Sequence, residues 1–157
     1  MAWLFFLNKI IYNLAGVLLG IMTSIVILQI IARNFFEISV TSSEELARFL
    51  MIWVIMLAAT VVIRNKKHLA VTYFVELLSP RKQKVLRFFV FACVLIFSTI
   101  LVFYGFELAK HSMKQIAPAS SIPLGYIVAS LPISGLISIL YTIEHIHDET
   151  SQKGVIN

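Results

Sequence analysis

Four apolar stretches dominate this chain, and none contains an acid, a base or a histidine: Ile10–Ala32, Phe49–Ile63, Phe88–Phe106 and Gln115–Ile143. They run 23, 15, 19 and 29 residues. A helix rises about 1.5 Å per residue, and a hydrocarbon core about 30 Å thick takes roughly 20 apolar residues to cross. The pattern predicts an all-α integral membrane protein with four transmembrane helices, over about residues 10–33, 43–64, 82–107 and 119–144.

The second stretch is short, about 22 Å as a helix, so its helix should start before Phe49. Ser42 is placed to cap it, with Glu45 at the third position completing a capping box. That start puts Glu44, Glu45 and Arg48 in the first two turns, with Glu44 and Arg48 four apart in the favourable acid-first order. Trp53 lies about two turns deeper than Glu44, below the depth of an interfacial Trp, and suits packing between helices. At the far end Arg64 has a stem long enough to snorkel to the headgroups.

The segment between the second and third spans is patterned too. Residues 68–78 are apolar-rich with basic flanks and too short to cross, which reads as a helix lying at the interface. Ser79-Pro80 then restarts a helix, Ser as cap and Pro at its first position. Arg81, Lys84 and Arg87 follow on one side, with Lys82 nearby. Cations at a helix N-terminus oppose its dipole. Anionic phospholipid headgroups would offset that, for these four and for Arg64, Lys66 and Lys67.

Two further faces are built from small residues. Gly16 and Gly20 form a small-xxx-small pair in the first span, and Ser130, Ser134 and Ser138 repeat every four residues in the last. Such faces let helices approach closely where lipid and Leu are equally apolar. Pro132 frees the Val128 carbonyl and should kink the last span, with Ser130 or a neighbouring helix compensating.

Composition sharpens the class. The chain has 157 residues, 59% of them hydrophobic, and a mean hydropathy of +0.91. A soluble domain has about 45–50% apolar residues. Four spans use most of the length, which predicts one membrane domain over 1–157. The net charge of +5 does not point to nucleic acid, because seven of the 13 Lys and Arg fall between Arg64 and Arg87. That clustering suits a lipid surface. With four spans, Lys9, those seven and Lys153 share one side, nine basic residues against four (Arg33, Arg48, Lys110, Lys114) on the other. The positive-inside rule puts both termini in the cytoplasm. The first span lacks a small-x-small cleavage site and is too long for a signal h-region, so it should be retained.

The chemistry is sparse. Cys93 is the sole cysteine, which excludes an intramolecular disulfide and a thiolate zinc site. His145 and His147 are two apart and point to different sides of a helix, a poor chelate. No nucleophile–base pairing or phosphate loop supports an enzyme. Pumps and ion-coupled carriers keep ionisable groups within their spans, and the four stretches have none.

The block Ser43-Glu44-Glu45-Leu46-Ala47-Arg48-Phe49-Leu50-Met51-Ile52-Trp53, then Arg64 and His68-Leu69-Ala70-Val71, resembles the small membrane subunit of TRAP transporters, the DctQ-like family. Ile122-Pro123-Leu124-Gly125-Tyr126 with Leu131-Pro132-Ile133 is similar to elements of that family's last span. The resemblance covers nearly the whole chain, with Ala58-Ala59 where many relatives carry a Gly. It implies a non-catalytic scaffold in the bacterial inner membrane. Its partners would be a large sodium-binding elevator subunit and a periplasmic binding protein that delivers an organic acid, of dicarboxylate or sialic acid type. It implies no cofactor in this chain, and it assigns Glu44, Glu45, Arg48 and Trp53 a structural or partner role. Two rival readings stand beside it: a self-sufficient homo-oligomeric carrier, and a membrane anchor for another complex.

Overall fold

The computed structural model describes residues 2–36, 41–65 and 80–151. Four long helices form: α1 (Ala2–Phe36), α2 (Thr41–Arg64), α3 (Pro80–Ser112) and α5 (Ser130–Ser151), with one short turn, α4 (Gly125–Val128), before the last. All four candidate spans are long and apolar enough to cross a membrane. The expected interfacial helix at 68–78 lies outside the described residues.

The element bounds have local causes. α1 starts at Ala2 rather than near residue 10, because the segment up to Lys9 is also apolar and holds no breaker. Its 35 residues reach about 52 Å, well beyond a hydrocarbon core. α2 does begin before Phe49, at Thr41. α3 opens on Pro80, where the missing N–H costs nothing.

The fourth span starts later than expected, at Gly125. The preceding Gln115–Leu124 segment closes on itself instead. Leu124 N–H donates to Gln115 O (2.9 Å) and Ala117 N–H to Ile122 O (3.0 Å), with Ser121 in the left-handed region at φ 57°. The chain stays helical through Ala129 (φ −58°, ψ −18°), whose N–H donates to Gly125 O at 2.9 Å and whose carbonyl accepts Ile133 N–H at 3.3 Å. Pro132 has no N–H for the Val128 carbonyl. The Ser130 hydroxyl turns to the Ile127 carbonyl at 2.7 Å. Pro132 thus leaves one bond of the ladder unmade where α4 runs into α5, with Ser130 beside the gap.

The helices form an open row: α1 on α2, α2 on α5, α5 on α3. The last span is central. Its most apolar stretch is 44% buried, against none of the corresponding stretch of α1. The core joins α1, α2 and α5 through Ile11, Ala15, Leu57, Val61 and Tyr141, with Trp53 packed against it. On the other side of α5, small residues bring α3 close. A Cβ on Gly135 would lie 2.9 Å from Val102 Cγ2 and 3.0 Å from Ser98 O, and one on Gly105 would lie 3.0 Å from Pro132 Cδ.

Candidate functional site: polar clamps at the two ends of the bundle

At the α2 N-terminus, Ser42 and Glu45 do not form the expected capping box. Both reach across to the loop before α4. The Glu45 carboxylate accepts the backbone N–H groups of Ala119 (3.2 Å) and Ser120 (2.7 Å), while the Ser42 hydroxyl donates to Ala119 O at 2.7 Å. The physical reason is the loop itself. Its tight turn points consecutive N–H groups outward with no ladder partner, and a carboxylate satisfies two at once. Glu44 and Arg48 stay exposed, one turn apart on the same side of α2.

At the other end of α2, Arg64 is turned inward. Its Nε lies 3.2 Å from Glu144 Oε2 and its terminal nitrogen 3.4 Å from Oε1, a two-point ion pair with side chains only 13% and 8% exposed. The guanidinium also lies 5.8 Å from the Phe5 ring centroid and 5.3 Å from that of Tyr141, which is fully buried. One residue on, His145 Nε2–H donates to Ile63 O at 3.2 Å, and its ring stacks on Phe91. This corrects the reading of Arg64 as a headgroup anchor. A guanidinium offered a carboxylate and two aromatic faces is better satisfied there than by snorkelling. Among the other expected headgroup residues, Lys82 is exposed, Lys66 and Lys67 lie outside the described residues, and so do the side chains of Arg81, Lys84 and Arg87.

The remaining expected residues divide cleanly. Trp53 is half-buried against the core. Ser130, Ser134 and Pro132 are buried, and the Ser134 hydroxyl bonds back to Ser130 O at 2.7 Å. Gly16 and Gly20 are exposed, and a Cβ added at either would meet nothing within 4 Å. That face is therefore unused among the described residues.

Sequence reasoning missed Glu144, Tyr141 and His145. A signal was present: the second and fourth spans end on the same side, at Arg64 and Glu144, and carry opposite charges. Among the described residues, no group of three or more His, Cys, Asp or Glu is placed to hold a metal ion.

Residues 22–151 match the family model of tripartite ATP-independent periplasmic transporters, DctQ component. The chain belongs to that family. It is the small permease component of a TRAP transporter, a transport protein and not an enzyme. It is 27% identical over 132 residues to a Haemophilus influenzae protein named as a TRAP transporter small permease, covering 84% of this chain and 82% of that one. It is 28% identical over 132 residues to the sialic acid TRAP transporter permease SiaT of the same species, covering 84% of this chain but 21% of SiaT. The isethionate TRAP transporter permease DctMQ of Oleidesulfovibrio alaskensis is 30% identical over 100 residues, which are 62% of this chain and 16% of DctMQ. In both of the latter the DctQ-like part is a minor share of one longer permease. A tripartite transporter implies a large permease and a periplasmic binding protein as partners, and these longer permeases support association with the former.

Proposed function

We propose that this DctQ component is a fixed scaffold for the large, sodium-coupled elevator subunit, in uptake of an organic acid that a periplasmic binding protein delivers. The observation that carries the reading is where the polar groups go. Glu45 and Ser42 are spent on tying α2 to the loop before α4, and Arg64 and Glu144 on tying α2 to α5. The four apolar stretches hold no charge to move with a solute, unlike the spans of a carrier. Two relatives are named for sialic acid and isethionate transport, which favours an organic anion as cargo.

The termini and the Arg64 end face the cytoplasm in this reading, supported by nine basic residues against four. The Glu45 end then faces the periplasm, with Glu44 and Arg48 exposed for a partner. Gly16 and Gly20 give α1 an open small-residue face for the large subunit. Lys82 and its basic neighbours meet anionic headgroups on the cytoplasmic side. Co-purification from cells expressing the whole transporter tests the scaffold, alongside uptake into liposomes. A stoichiometric large permease, and uptake only when all three components are present, is the expected result. Uptake by this chain alone would favour the self-sufficient carrier instead.

A further inference from the structure

We infer that Arg64 and Glu144 form a lock that holds the two helical hairpins, α1–α2 and α3–α5, as one rigid body. The inference rests on the scaffold reading and deepens it. Among the described residues, all four long helices contribute side chains at this end: Phe5 from α1, Arg64 from α2, Phe91 from α3, and Tyr141, Glu144 and His145 from α5. Elsewhere the row of helices is open, and α1 rests on α2.

The chemistry makes the join specific. Arg64 is held by two hydrogen bonds in the plane of its guanidinium and by aromatic rings from α1 and α5. Only the planar fork of Arg meets both demands, so Lys is not equivalent. Sliding α2 along α5 by one turn, about 5.4 Å, would break both contacts and strand two charges in a nearly dry site. A buried pair of this kind fixes register more than it adds stability. Its backbone companion, His145 to Ile63 O, lies one residue away on each helix and fixes the same register. A scaffold against which another subunit moves must not shear between its hairpins, and this lock prevents that.

The test uses the whole transporter in membranes, with Cys93→Ser as background and spin labels at the exposed Phe6 and Ile143, one on each hairpin near this end. Wild type should give one narrow distance distribution. Glu144→Gln should broaden or lengthen it and reduce uptake and complex yield by about tenfold, since the stranded cation is the costly species. Arg64→Lys should give an intermediate result. Arg64→Met with Glu144→Leu removes both charges, and should restore complex yield while leaving the distribution broad. Tyr141→Phe should match wild type, because the Tyr141 hydroxyl has no hydrogen-bond partner among the described residues. A narrow, unshifted distance in Glu144→Gln overturns the lock. A broadened distance with wild-type uptake and complex yield supports the lock and overturns the scaffold reading instead.

Discussion

Gly16 and Gly20 on α1 and Gly105 and Gly135 on α3 and α5 are small residues in apolar helices, yet they meet opposite fates. The first pair sits four apart in the familiar small-xxx-small spacing, and among the described residues nothing lies within 4 Å of either Cβ position. The second two sit singly in their helices, and a neighbouring side chain or backbone atom stands within 3.0 Å of where each Cβ would be. A small residue permits close approach but does not supply the partner. Gly135 has one because Ser98, Leu101 and Val102 of α3 face it across a hairpin that also buries Ser130, Ser134 and Ser138. α1 is an edge helix, and on the proposed reading its glycines are open to another chain.

The strongest way to break this contrast is Gly135→Leu. It drives a side chain into Val102 and the Ser98 carbonyl, an overpacking cost of about 2–3 kcal/mol or more. The isolated small subunit should lose most of its folded yield in detergent, measured by fluorescence size exclusion. Gly16→Leu with Gly20→Leu sharpens the contrast from the other side. The isolated chain should melt as wild type does, while recovery of the large permease falls about tenfold. Equal melting and equal recovery would remove α1 from the interface.

Arg48→Ala belongs with the second class. Because Arg48 is exposed, its loss should reduce assembly with the large subunit and leave the substrate concentration for half-maximal uptake unchanged. Glu45→Ala has a more local effect. It frees the Ala119 and Ser120 N–H groups, and their amide exchange should rise about tenfold with little change at Ser134. The smallest expected effect is Pro132→Ala. It restores the N–H missing opposite the Val128 carbonyl and loses a little contact with Gly105, a net change within about 1 kcal/mol in thermal unfolding.

Much of the architecture was legible along the chain. Uncharged runs of span length give four helices because an unpaired backbone is not tolerated in hydrocarbon. The early start of α2 and the opening of α3 at Pro80 both followed from local signals. The fourth span was read less well. A helix was expected from about residue 119, whereas Gln115–Leu124 forms a loop closed by hydrogen bonds between residues nine, five and four apart in sequence. Two further N–H groups of that loop, on Ala119 and Ser120, are met by Glu45 of another helix.

The candidate site shows the same division. Ser42 and Glu45 have the spacing of a capping box, and Arg64 has the position of a snorkelling residue. Each local role was reasonable, and each lost to a partner more than 70 residues away in sequence. What the sequence determined by itself was the membrane class, the number of spans and the family, because hydropathy, charge and short motifs are local properties of the chain. Only the tertiary structure decided which polar side chains are shared between helices and which small face stays open. Those outcomes depend on which helices become neighbours, and an ion pair or a close glycine contact exists only once two helices have been brought within a few ångströms.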